Sequence, residues 1–503
     1  MKRIIIISVL FSMAWTVNIL AQSANDAMMF SRHYSGGTAR SAGMSGAFGA
    51  LGGDLSVLSS NPAGLAVYRG SEFTFTPGMI FTNTGTKYAD KSFNEKSTHF
   101  VINNIGYAYT KNLYNVKGLQ SIHFGIAYNR LSDFYSNAYI KHASATSSLL
   151  DEFVYYANGY DGKNRPLKES ELNPFYEGLA WDTYALDYDK KHDEYFSDYN
   201  DFGYNQPLYR SMKTRGGVGE YDISIGFNIS NKLFLGATLG LQDVYYQEYY
   251  FHEEKPGFEY MNSFNFSDEY TVNGFGINFK TGIIFRPVHA LRIGAAVHTP
   301  THLWMKPYHL TGMETEWNKL PADDITNPLF YETESDPSEK YRMTTPWRYS
   351  MSMATVLGRF ATVDVDVELV DYKNCNIMPR ETYDIENDDV AAILKAGANL
   401  KGGAEFRLGP VYLRGGLAYY GNPYNKDYFD VDIRKTLKAT VSYSGGIGFR
   451  HRDFYMDAAY LYTIHPERVN DLYLSYNSQE VWYEQTKMQS KNSKIILTFG
   501  FRF

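Results

Sequence analysis

The chain holds a single cysteine, Cys375, in 503 residues. No internal disulfide can brace it, so hydrogen bonding and packing must hold the fold. Beyond the N-terminal leader no stretch approaches the roughly 18 uninterrupted apolar residues of a membrane-crossing helix. Basic residues are not in excess: 48 Lys and Arg against 55 Asp and Glu leave a net charge of -7. No Lys/Arg cluster stands out, which excludes a nucleic-acid footprint. No Pro/Ser-rich linker or compositional break divides the chain after residue 70, so one large domain is expected, not several soluble ones.

Aromatic residues, by contrast, are abundant. With 44 Tyr and 32 Phe they make up 16% of the chain, while the mean hydropathy is negative. That pairing suits aromatic girdles around a wet-lumened barrel better than a soluble core. Lys2 and Arg3 precede the apolar run Ile4 to Trp15, and Ala21 precedes Gln22, the pattern of a cleaved signal peptide over residues 1–21. No Cys follows the cleavage point, so a lipid anchor is not expected.

Residues 22–70 are small, Gly-rich and non-repeating. Gly43, Gly46, Gly49 and Gly52 recur every third residue. A phosphate-cradling loop needs a preceding strand and a following Gly-Lys-Ser/Thr, and neither is present; the glycines instead fit close packing where Cβ atoms would clash. Asp54 is placed to cap a short helix through Leu55, Val57 and Leu58. Asn61 is placed to cap a second turn with Pro62 at its first position, followed by Ala63 and the release at Gly64. This segment reads as a plug, with Asn61, Pro62, Ala63 and Gly64 fixing its last turn.

From residue 71 to 503 period-2 runs of about ten residues recur, the length of a tilted strand crossing a bilayer. Phe73, Phe75, Met79 and Phe81 form the first, broken at Pro77-Gly78 as by a bulge. Short turns near 112–117, 230–232, 286–290, 357–359, 409–410 and 451–453 alternate with long polar connections near 82–95, 132–217, 251–267, 303–340, 373–395, 421–436 and 464–491. This implies an all-β fold: a transmembrane antiparallel β-barrel of about 14 strands with a plug in the lumen and both termini at the short-turn, periplasmic end.

Facing follows from cost. A basic side chain in mid-bilayer costs about 2–4 kcal/mol, an acid somewhat less, so Asp364, Asp366 and Glu368 must point into the lumen, with Arg348, Glu405 and Arg414, and likewise Lys401 and Arg407. They read as an ion-pair network that braces the lumen and grips the plug through Arg40. His123 and His298 also face inward, without an identifiable nucleophile or acid partner, so no enzyme is read here. The insertion 132–217 is expected to carry a short helix through Leu149, Leu150, Phe153 and Val154. Its Asp187, Asp189, Asp193, Asp198 and Asp201 lack the spacing of a Ca²⁺ loop, so no metal and no cofactor is expected.

The chain ends Phe499-Gly500-Phe501-Arg502-Phe503, which resembles the C-terminal signature that outer-membrane proteins present to the barrel assembly machinery. With Gly43 to Gly53, Asn61 to Leu65, Gly274 to Gly282, Thr345 to Arg348 and Val370 to Tyr372, the sequence resembles the FadL/TodX family of hydrophobic-compound transporters, of the type found in Bacteroidetes. The resemblance implies a hatch-closed barrel in the Gram-negative outer membrane. Hydrophobic or amphipathic small molecules such as long-chain fatty acids would enter through its extracellular loops and leave sideways into outer-membrane lipid. The exit would lie at a kinked third strand, here Gly125, Asn129 and Arg130. The alternative is a FadL-like barrel serving as a secretion or surface-attachment scaffold with protein partners on its loops.

Overall fold

In the computed structural model of the chain, the structure describes residues 24–115, 117–319, 326–336, 338–429, 431–476 and 481–503. The signal-peptide reading of residues 1–21 therefore lies outside the described residues. Fourteen strands close into one antiparallel wall. They are β1 (Glu72–Tyr88), β2 (Lys91–Asn112), β3 (Leu119–Asp133), β4 (Leu208–Ile229), β5 (Leu233–Glu254), β6 (Met261–Val288), β7 (Leu291–His298), β8 (Arg348–Leu357), β9 (Ala361–Asp371), β10 (Ala396–Leu408), β11 (Val411–Tyr420), β12 (Thr440–His451), β13 (Phe454–Ile464) and β14 (Val481–Arg502). Closure comes from β14 against β1, beginning at Glu72↔Arg502. Among the described residues no helix is long and apolar enough to cross a membrane.

Alternation along these strands produces the wall's two faces. Outward positions form a belt of exposed apolar side chains, including Ile126, Ile223, Phe279, Met351 and Leu417. A contiguous apolar surface of this size is unstable in water and calls for an apolar surround. The Pro77 break is real: register slips between Thr76 and Pro77 where β1 meets β2.

Several connections read as polar loops are in fact strand. The stretch 82–95 is the tip of a two-stranded ribbon in which Tyr88 pairs with Lys91, and Ala89 makes the turn at φ 49°. β6 runs for 28 residues, and His302–Trp317 lies along it. Arg468–Tyr476 lies along β14. The physical reason is that above the belt both faces of a strand meet polar surroundings. The apolar/polar contrast that marks a strand in sequence disappears, while the ladder continues.

Residues 24–67 pack against the inner face of the wall. They form α1 (Ala24–Ser31), α2 (Ala39–Ala42) and two 3₁₀ turns, Leu55–Ser59 and Pro62–Val67. The expected caps are present: the Asp54 carboxylate accepts from Ser56 N at 3.0 Å, and Asn61 Oδ1 accepts from Ala63 N at 3.2 Å. The helix expected in the insertion is α3 (Leu149–Ala157), started by a Ser148/Asp151 capping box.

Candidate functional site

The N-terminal segment rests on glycines of both partners. A Cβ on Gly49 would fall 2.7 Å from Ser352 Oγ and 2.9 Å from Asp366 Oδ1. Gly52, at φ +62°, and Gly64 face each other closely, and a Cβ on either would enter the other's backbone. Gly43 and Gly46 are looser, with Ala39 O at 3.1 Å and Ser35 Oγ at 2.9 Å from their added Cβ atoms. The matching wall glycines escaped the sequence reading: a Cβ on Gly236 would strike the Pro62 carbonyl, and one on Gly282 the Asn61 side chain. Their signal was present, since both occupy inward positions of alternating strands. Asn61 completes the turn by donating from Nδ2 to Gly49 O at 2.7 Å, while Pro62, Ala63 and Gly64 are buried.

The six luminal charges do not form one network. Arg414 Nε and Arg40 Nε both donate to Glu405 Oε2, each at 2.9 Å, and Arg414 continues to Asp457 at 2.7 Å. Asp364 and Asp366 instead accept backbone N–H groups of the segment: Leu51 N at 3.1 Å and Phe48 N at 3.0 Å. Arg348 pairs with Glu368 at 3.2 Å and also donates to the Ser31 carbonyl, the last residue of α1. A further cluster went unread. Lys280 bridges Glu220 and Asp222, and Asn129 Nδ2 donates to Asp222 at 3.1 Å. The inward-facing rule finds these residues when it is applied to β4 and β6.

His123 and His298 are buried. His123 lies between Thr110 and Ser121 hydroxyls, and His298 Nε2 donates to Ser60 O at 2.6 Å. The insertion aspartates do not converge: Asp189 pairs with His192, Asp193 accepts from Tyr188, and no group of acids, His and Cys among the described residues could hold a metal ion.

At the loop end, a cavity of about 460 Å³ lies between the insertion and the wall. Leu149, Glu152 and Phe153 of α3 line it from the insertion, Tyr250, Phe266 and Tyr270 from the wall, and Asn25 and Asp26 of α1 from the N-terminal segment. Arg210 of β4 is its cation. The guanidinium carbon stands 3.9 Å from the Tyr250 ring centroid, yet Nε and Nη1 are buried without a hydrogen-bond partner. Burial pulls its pKa below the ordinary guanidinium value. Burial also pushes Asp151 and Glu152 up to about 7. These two carboxyls tie the insertion down: Asp151 accepts from Tyr204 Oη at 2.8 Å, and Glu152 from Leu474 N at 2.9 Å. A smaller, polar chamber of about 90 Å³ lies beyond α1, lined by His33, Asn129, Arg130, Asp366, Glu368 and Lys401 among others.

The β2–β3 ladder stops at Asn104↔Asn129, although β2 continues to Lys91. Register slips between Arg130 and Ser132. The following strand, Ser136–His142, pairs only with β4 and crosses inside β1, where Thr82 Oγ1 donates to Tyr135 O at 3.1 Å. The edge of β2 above Asn104 is thus left without a ladder partner among the described residues. Arg130 holds the bend through Asp133 and through Gly216 O at 2.8 Å. Gly125 is not the break; its added Cβ would meet Leu58 and Leu65 at 3.1 Å.

A closed fourteen-strand wall, an inward N-terminal segment and an interrupted third strand together match a known architecture. The fold is that of the FadL-type channels. A Pseudomonas aeruginosa FadL homologue aligns with a TM-score of 0.53 at 12% identity, covering 94% of this chain and 100% of that one. The P. putida toluene transporter TodX gives 0.53 at 12%, covering 93% and 99%, and the Ralstonia pickettii toluene transporter TbuX 0.50 at 12%, covering 93% and 99%. No protein-family model and no curated protein sequence matches the chain.

Proposed function

We propose that the protein is a passive outer-membrane channel for hydrophobic or amphipathic small molecules. The observation that carries this reading is the loop-end cavity of about 460 Å³, mostly aromatic and aliphatic with one unpaired cation, set in a wall with an open ladder. Pockets of this size and lining are typical of small-ligand sites. Aromatic rings take up the apolar body of the ligand, and Arg210 takes an anionic end, as in a long-chain fatty acid. Residues 22–70 act as a hatch that blocks aqueous leakage, fixed by the turn Asn61, Pro62, Ala63 and Gly64. The long connections, including 132–217, face the outside, and the open β2 edge beside Asn129 and Arg130 is the sideways exit into the outer leaflet. FadL-fold neighbours that transport toluene support an apolar cargo.

The test is lipid extraction and mass spectrometry of the purified protein, followed by uptake into vesicles carrying it. An amphipathic ligand in the lumen and uptake that follows the gradient are expected. An empty lumen with a stable protein partner would replace this reading by the scaffold one.

A further inference from the structure

Beyond the apolar belt, the outer face of β14, β1 and β2 carries a block of lysines that the transport reading does not use. In β1 the outward positions above Phe81 are Asn83, Gly85 and Lys87. Register places Lys487 directly opposite Lys87, and Lys491 opposite Asn83; on the other side Lys96 is opposite Asn83. Like charges directly opposite across a ladder repel, yet none of Lys87, Lys96, Lys487 and Lys491 pairs with an acid of the described residues. Asn83, Gly85, Asn94 and Gln489 fill the positions between, and Gly85, lacking a side chain, leaves a dent of about 150 Å³. A larger outward recess of about 520 Å³ adjoins it, sharing Lys487 and adding Lys438 above Tyr443 and Ile464. Glu467 is the one acid lining either hollow.

Directly below the lysines the same outward rows turn apolar. Met79 stands between Phe100 and Ile495, and Phe100 is 62% exposed. Cations and amides above, with apolar side chains continuing below in the same rows, match an amphiphile whose headgroup is anionic and whose chains lie along the barrel. A protein or a free polyanion would use the lysines but not the apolar rows beneath.

We infer that this face binds a phosphate-bearing lipid of the outer leaflet, its phosphates held by Lys87, Lys96, Lys487 and Lys491 and its acyl chains laid on Phe81, Phe100 and Ile495. The site adjoins the open edge of β2, so the bound lipid borders the sideways exit. The inference rests on the membrane-barrel reading.

Nondenaturing mass spectrometry of the whole protein, titrated in neutral detergent with a phosphorylated glycolipid, tests it. The wild type should retain that lipid in preference to the same lipid after enzymatic dephosphorylation, and lose it as salt rises. Each lysine near an anionic surface contributes about fivefold, so K87Q/K96Q/K487Q/K491Q should bind on the order of a hundredfold more weakly. K111Q/K117Q/K232Q, at the opposite rim, should bind as the wild type does. Heat-modifiable gel mobility verifies that each variant is folded, and single lysine variants replace the quadruple one if it is not. Equal retention of the dephosphorylated lipid, undiminished binding by the lysine variants, or displacement by equimolar inorganic phosphate would each overturn the inference. A wild type that fails to insert into any bilayer overturns the membrane reading instead; one that inserts without discriminating overturns only this one.

Discussion

Replacing Arg210 by Met keeps the stem packed on Tyr250 and removes the charge. In the free protein the guanidinium has two buried donors without partners, each costing about 1–3 kcal/mol; against this stands a cation–π contact worth up to about 2 kcal/mol. The terms oppose each other, so the unliganded barrel should keep its stability within about 2 kcal/mol. A ligand carboxylate, however, loses a charge-assisted hydrogen bond worth about 1.5–3 kcal/mol, which corresponds to about ten- to hundredfold in affinity. The methyl ester of the same chain has no such bond to lose. Calorimetry of wild type and R210M with acid and ester should therefore show the acid-to-ester affinity ratio falling about ten- to hundredfold through the acid alone. If both ligands weaken together, or neither does, Arg210 is not the headgroup contact.

Glu405→Ala strands Arg40 and Arg414, both on a fully buried carboxylate. A loss of about 3–5 kcal/mol should lower the temperature at which the barrel ceases to migrate as a folded species, and an unchanged temperature would deny the hatch this anchor. Gly236→Leu forces side-chain atoms into the Pro62 carbonyl, costing about 1–3 kcal/mol of seating and raising small-solute leakage in reconstituted vesicles. Asp151 and Glu152 are raised in the fold to about 7, so their contribution to docking of the insertion is complete below pH ~4 and is lost as pH rises through ~7. Hydrogen exchange across α3 should therefore quicken over that range, and D151N/E152Q should flatten the profile. Cys375, with Sγ 3.2 Å from Ser31 Oγ and its thiol pushed up to about 12 by burial, should resist maleimide until α1 lifts; labelling at the same rate with and without bound amphiphile would mean that α1 stays put.

Within the belt nearly every strand was legible, because lipid on one side and polar lumen on the other write a period of two into the sequence. The inward set Asp364, Asp366, Glu368, Glu405 and Arg414 followed from the same asymmetry. Above the belt the asymmetry ends, and with it the signal: the β1–β2 ribbon, the long end of β6 and the luminal strand Ser136–His142 were read as loop. Arg210 was hidden for that reason, since it sits in what reads as a polar insertion. The turn at Ala89 offered no Gly or Asn to announce it. The bend at Arg130 was visible as a slip in alternation, but the loss of the β2 ladder was not, because pairing between distant strands leaves no local mark.

That lost ladder has a mechanical meaning. Hydrogen bonds running round a barrel act as hoops that resist widening, and between β2 and β3 the hoops are intact only from Asn104 to Asn112. Above that level the ring is split, and it is bridged by side chains such as the His99 ring stacked at 4.0 Å on Tyr135. Spreading the split to pass a broad solute breaks contacts of about 0.5–1.5 kcal/mol each and leaves every backbone bond in place. The width of cargo the wall tolerates is thus set by a few rings that can turn aside, and the stiffness of the barrel is kept in the part that never has to open.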